Sequence, residues 1–248
     1  MPADDDPDLD SLPPLLSRAE ESSLLRRISS AQWHIRRILG SHRLVHEAAA
    51  ACAEQILWFS RELSEVADPA LFRLDDFEVR RRLERVVRCY ELECTPEIKK
   101  REYHAYPEYE NTSRAIDQIP FTERQWQEFQ RMIERIEPQG PSVKGIRDLE
   151  QRISDSKKEL LQGNLRQVVR LAREQKDSGK SAMDLIQLGN VGLVVAIGTF
   201  DYEHSRNFSV HAAWSIRRFM SGVIIDGSRG EGMIESLIQL PRGVQCVN

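Results

Sequence analysis

Three observations predict an all-α chain, a multi-helix domain with a helical N-terminal and inserted region. Leu, Ile, Val and Phe recur every three or four residues through most of the sequence, the period of an amphipathic helix. No stretch of four or more residues alternates convincingly between apolar and polar, as a half-buried strand would. The breaks between apolar patterns fall at glycine, proline and capping residues.

The elements follow in order. Residues 1–14, rich in Asp and Pro, read as a disordered acidic lead-in, with too little apolar surface to offset the entropy of ordering. A helix is expected from Ser17, which has capping-box spacing to Glu20. Leu24, Leu25, Ile28, Ile35 and Ile38 then follow until Gly40 stops the pattern. Two helices are expected across 42–66 and 71–92, with Asp68-Pro69 as the break. Tyr103, Tyr106 and Tyr109 surround Pro107 in an irregular stretch. Thr122, three residues before Gln125, opens a helix running to Glu137, and Pro138-Gln-Gly-Pro141 reads as a linker. Further helices are expected across 146–161, 164–176, 183–200 and 207–226, with no fixed-period repeat. The domain division expected is a lead-in over 1–14, a helix over 15–40, and a helical insertion with linker over 41–141. A helical domain over 142–229 follows, then the start of another region over 230–248.

Composition narrows the function classes. The 248 residues carry a net charge of −4, with 30% charged and 40% hydrophobic residues, an ordinary globular balance. The longest apolar run, around 191–197, is short and contains Gly192, so no membrane span is expected. Five aspartates in the first ten residues and no basic lead segment argue against a secretory signal. The four cysteines, at 52, 89, 94 and 246, form no CxxC pair, which fits reduced thiols in a cytoplasmic protein. Net charge conceals an asymmetry. Residues 156–226 hold ten Lys/Arg against seven Asp/Glu, while the rest holds 25 against 32. A mildly basic segment in an acidic chain is compatible with nucleic acid at one face, and equally with solvated helix surfaces.

Two helices carry informative faces. On a wheel of 184–200, Leu185, Ile186, Gly189, Leu193, Ala196, Ile197 and Phe200 form a core arc. The opposite arc mixes Asp184, Gln187 and Asn190 with Leu188, Val191, Val194 and Val195. Such a face is either covered by another part of the chain or binds a partner, with amides and a carboxylate fixing register. In the next helix Phe208, Ala212, Ile216, Phe219, Met220 and Val223 make the core stripe. His211, Trp214, Ser215, Arg217, Arg218 and Ser221 lie on or beside the other face. Aromatic rings among arginines suit single-stranded nucleic acid, and also suit a cation–π surface pair or a domain contact.

The string DLIQLGNVGL from Asp184 to Leu193 closely resembles the DLIQEGNIGL signature of bacterial sigma factors of the sigma-70 class. NLRQVVRLA from Asn164 resembles the family's NLRLVVSIA helix, Phe200-Asp-Tyr202 its KFDY turn, and Phe208-Ser209 the FS opening its promoter-melting helix. Ala212, Trp214, Ile216 and Arg217 match its ATWWIR run. Residues 15–21 resemble the segment preceding this domain, and IQLPR from Ile238 the start of the following region. The resemblance is strong over 156–226. It implies a region-two-like domain at 142–229, a variable insertion at 41–141 and a truncated following region at 230–248. It also implies a non-catalytic, cytoplasmic initiation factor without cofactor or metal.

The implied partners are core RNA polymerase, through the clamp coiled coil of its largest subunit, and the non-template strand of the promoter −10 element, with an anti-sigma factor as a further candidate. Asp184, Gln187, Leu188, Asn190 and Val194 would bind core polymerase. Arg206, Phe208, His211, Trp214, Ser215, Arg217, Arg218 and Ser221 would face DNA, capturing a flipped base and melting the duplex. The departures from the family pattern cluster on that DNA side. His211 replaces the stacking Tyr, Ser215 the second Trp, Arg206 an aromatic, Arg218 a Gln and Ser221 a Thr, while Glu203 and His204 replace two arginines. Leu188 is the main change in the core-binding signature. Ending at Asn248, the chain is either a fragment lacking a −35-reading domain or a short form.

Two other readings compete: a sigma-derived regulator occupying the polymerase without melting DNA, and a generic helical interaction module. Enzyme signals are weak. Gly179-Lys180-Ser181 resembles a P-loop tail, but position 174 is Glu and no strand precedes it. His42 and His46, one turn apart, lack a third ligand and are expected to be solvated rather than metal-bound.

Overall fold

The computed structural model describes residues 12–94, 110–175, 179–202 and 207–221. It is all-α. Among the described residues ten α-helices follow one another: α1 (Arg18–Gly40), α2 (Arg43–Leu57), α3 (Leu63–Val66), α4 (Asp76–Glu93) and α5 (Glu110–Ile116), then α6 (Glu123–Ile136), α7 (Pro141–Gln162), α8 (Leu165–Glu174), α9 (Ala182–Thr199) and α10 (Phe208–Ser221). The described residues divide into two compact units. Those within Met1–Ser30 and Arg152–Asn248 form one, and those within Ala31–Gln151 the other. Both divisions fall inside helices, α1 and α7, rather than at Gly40 or in the Pro138–Pro141 segment.

Local chemistry explains most boundaries. Ser17 and Glu20 form the reciprocal capping box, with Ser17 N–H donating to Glu20 Oε2 at 2.8 Å and Glu20 N–H donating to Ser17 Oγ at 3.3 Å. Thr122 Oγ1 accepts from Gln125 N–H at 3.2 Å and starts α6, and Pro141 occupies the first position of α7, where its missing N–H costs nothing. The helix expected across 42–66 is broken. α2 stops at Leu57 because Phe59 turns into the left-handed region at φ 58°, and a separate turn, α3, follows. The helix expected from residue 71 is delayed in the same way. A 3₁₀ turn at Pro69–Phe72 ends at Arg73 with φ 53°, and α4 begins at Asp76, where Asp75 Oδ1 accepts from Glu78 N–H at 2.7 Å. The tyrosine-rich stretch at 103–109 lies outside the described residues, and the short α5 that follows it was not anticipated.

In the Ala31–Gln151 unit, Val45, Ala49, Ala53 and Ile56 of α2 bury against Val79, Leu83 and Val86 of α4. Phe121, Trp126 and Phe129 pack edge to face with ring centroids 5.4–5.9 Å apart. His46 corrects the expectation of two solvated histidines. It is fully buried, and its Nε2 donates to Gly40 O at 2.7 Å and lies 3.0 Å from Ser113 Oγ. Burial holds its pKa below the ordinary histidine value. Glu93, also buried, accepts from Asn111 N–H at 3.0 Å and Thr112 N–H at 3.3 Å, supplying the start of α5 with acceptors.

The other unit is built on α8, α9 and α10. Its core joins Val168 and Leu171 of α8, Leu185 and Leu193 of α9, and Phe208, Ala212 and Ile216 of α10. Leu24, Leu25 and Ile28 of α1 complete it from far away in sequence. By length and composition α9 would reach across a membrane, with a mean hydropathy of 1.5 over 18 residues. Its packing between α8 and α10 is that of a core helix.

Candidate polymerase and nucleic-acid interface

The site rests on how closely α9 and α10 approach. A Cβ at Gly192 would lie 2.9 Å from Ile216 Cα and 3.0 Å from Ser215 O, so a side chain there would strike the α10 backbone itself. Ser215 Oγ closes the contact by donating to Gly192 O at 2.8 Å. Gly189 is as crowded, but by the side chains of Met220 and Val168. These two glycines let the helices pack as a unit and present a separate outward face from each.

α9 starts at Ser181, whose Oγ accepts from Asp184 N–H at 3.1 Å. Asp184 in this first turn is exposed, as is Gln187. Leu188, Asn190 and Val194 are half-buried, and Val191 between them is 46% exposed. The five residues expected to bind polymerase thus share one helix, with the two most polar outermost. The mixed apolar and amide character seen on the wheel is present as a surface.

The eight residues expected to face DNA do not behave as one set. Trp214 is exposed, at 59%, and the Arg218 guanidinium lies 5.1 Å from its ring centroid, a cation–π contact that orients both groups. Arg217 is exposed and pairs with Glu174 at 3.4 Å. Ser221 is exposed and donates its hydroxyl to Arg218 O at 2.8 Å. Gln167, Ser209, Val210, Ala213, Trp214 and Arg217 line a shallow groove of about 460 Å³.

Two of the eight require correction. Phe208 is fully buried and packs edge to face on Phe200, 5.3 Å between centroids, so it belongs to the core and offers no surface to a base. Ser215 is buried at the α9–α10 contact, because the approach allowed by Gly192 turns its hydroxyl inward. His211 is half-buried, with Nε2 3.1 Å from Thr199 Oγ1 and its ring against Phe200 at 5.5 Å. Arg206, and with it Glu203 and His204, lies outside the described residues.

The support beneath this surface comes from Phe200, Tyr202, Lys180 and Glu21, none of them among the residues expected to meet polymerase or DNA. Phe200 is the centre of an aromatic cluster with Tyr202, Phe208 and His211. Tyr202 donates its hydroxyl to Ile197 O at 2.6 Å, and burial pushes the phenol well above the ordinary tyrosine range. Lys180, part of the P-loop-like string, donates instead to Met220 O at 2.7 Å in the last described turn of α10. Glu21 of α1 accepts from Ser209 N–H at 3.3 Å and from the Ser209 hydroxyl. A charge partner so distant in sequence leaves no periodic signal.

Residues 160–229 match the family model described as Sigma-70 region 2. The match covers 70 of the 248 residues and spans α8, α9 and α10, the helices that carry both outward faces. This segment is a sigma-70 region 2, the part of a sigma-70 class factor concerned with core binding and −10 recognition.

Proposed function

We propose that this chain is a transcription initiation factor of the sigma type. It binds core RNA polymerase through the outward face of α9 and engages the −10 element of the promoter through α10. The observation that carries the reading is the coincidence of the region 2 segment with a helix, α9, whose free face holds Asp184, Gln187 and Asn190 among half-buried aliphatics. An apolar surface with a few polar groups is what a stable protein partner recognises. Asp184, Gln187, Leu188, Asn190 and Val194 form the polymerase contact, with the clamp coiled coil of the largest subunit as the binding element. Such a factor has no chemistry of its own to perform and acts where the polymerase is, in the cytoplasm.

On α10 the reading assigns nucleic-acid contact to Trp214, Arg217, Arg218 and Ser221, with Arg206 joining them on the strength of the resemblance alone. Trp214 supplies a stacking surface, and the arginines supply charge for phosphate. Core binding is tested by titrating labelled chain with core polymerase. Asp184→Ala should weaken binding about tenfold or more, whereas Trp214→Ala should leave it unchanged. Equal affinity for wild type and Asp184→Ala would remove α9 from the contact.

A second reading, a regulator that occupies core polymerase without melting DNA, is favoured by one feature. His211 is engaged with Thr199 and Phe200 and Ser215 is buried, which leaves Trp214 as the exposed aromatic ring of the described α10. An anti-sigma factor is a further candidate partner for the α9 face. Binding to core polymerase with no capture of −10 single strand would select the regulator.

A further inference from the structure

The first turn of any α-helix leaves N–H groups without intrahelical acceptors, and what satisfies them fixes where the helix starts and how it is rotated. In α10, Asn207 serves one of them, that of Val210, and takes the first intrahelical bond from His211. Its Oδ1 accepts from Val210 N–H at 3.3 Å and its carbonyl from His211 N–H at 3.4 Å. Ser209 is served by a residue 188 positions earlier. Its N–H donates to Glu21 Oε1 at 3.3 Å and its hydroxyl to Glu21 Oε2, while Ser209 O accepts from Gln167 Nε2 at 3.3 Å. Both backbone polar groups and the hydroxyl of Ser209 are therefore held from α1 and α8.

Glu21 is built to do this. It is buried, 8% exposed, and Leu24, Leu25 and Ile28 on the following turns of α1 insert into the same core as α10. A carboxylate at a helix N-terminus is favoured by the helix dipole, and its charge strengthens both hydrogen bonds. Ser209 also lines the groove that contains Trp214 and Arg217.

We propose that Glu21 is a positioning residue for nucleic-acid recognition. It fixes the start and rotation of α10, and so the placement of Trp214 and Arg217, while being too buried to touch nucleic acid itself. The inference rests on the reading of α10 as the DNA-facing helix.

The test uses the full chain with Glu21→Ala and Glu21→Gln, read by three measurements. These are hydrogen exchange at the start of α10, affinity for core polymerase, and capture of a −10 non-template oligonucleotide by the polymerase complex. Glu21→Ala is expected to speed exchange of the Ser209 amide about fivefold or more, the size of a lost helix cap, and to weaken capture at least as much. Core affinity should stay within about twofold, because α9 is untouched. Glu21→Gln keeps an oxygen acceptor and should restore most of both losses. Unchanged exchange in Glu21→Ala, or core binding falling in step with capture, overturns the role of Glu21. A wild-type complex that captures no oligonucleotide overturns the reading of α10 itself, whatever Glu21 does to exchange.

Discussion

Trp214 and Ser215 are neighbours with opposite surroundings, and the contrast decides what each substitution should do. Trp214 is exposed and touches Arg218, so its removal costs little folding energy. Trp214→Ala should leave the melting temperature within about a degree while weakening oligonucleotide capture by about 1–3 kcal/mol, measured by fluorescence anisotropy. Ser215 is buried and bonded to Gly192 O. Ser215→Ala should do the reverse, lowering stability by about 1 kcal/mol in chemical denaturation and leaving capture unaltered. At 100° per residue Ser215 falls about 20° from Phe208, inside the core stripe, so periodicity alone places it correctly. Its polarity and the tryptophan of the family motif drew it outward. Phe208 shows the same tension between a core position on the wheel and a functional place in a motif, and burial decides it.

Among elements, the long helices were legible, the short α3 and α5 were not, and helix ends were legible where a cap was local. Ser17 with Glu20, Thr122 with Gln125, and Gly40 each mark a boundary within four residues of the chain. The break after Leu57 was not legible, because it depends on a phenylalanine adopting φ 58°, a conformation that sequence gives no reason to assign to Phe. Likewise no pattern shows that Glu21 supplies α10 or that Glu93 supplies α5, since both contacts are long-range. The α9–α10 contact gives a sharp test. Gly192→Ala sets a methyl against backbone atoms that no rotamer can move, so it should destabilise by about 1–3 kcal/mol despite the gain in helix propensity. Gly189→Ala meets Met220 Cε and Val168 Cγ1, side-chain atoms that can shift. It should therefore lower the melting temperature less, as followed by circular dichroism. Equal losses would mean that the helices separate more easily than their spacing implies.

Across the whole molecule, the all-α class and the location of the sigma-70 region 2 segment were readable from periodicity and from a ten-residue motif. The Ala31–Gln151 unit was not readable in function. It holds its own core, with the α2–α4 packing and the Phe121, Trp126 and Phe129 cluster. Its buried His46 predicts a pH response. Burial lowers the His46 pKa, so below its ordinary value of about 6.5 the unfolded chain takes up a proton that the folded unit resists. Stability should therefore fall as pH drops through that value towards the depressed one. Hydrogen exchange of the α2 amides should report the fall, and His46→Gln should flatten it. Identical pH slopes in the two proteins would show that another group is responsible.

The proposed function requires the α9 and α10 faces to work together on polymerase and promoter. The most direct measurement is a fluorescence assay of promoter opening with this chain bound to core polymerase. It would use duplex promoter DNA carrying a base analogue in the non-template −10 strand. A rise in fluorescence that requires core polymerase, disappears with Asp184→Ala and is weakened by Trp214→Ala is the result expected. A chain that binds core polymerase tightly and leaves the −10 duplex closed would contradict it.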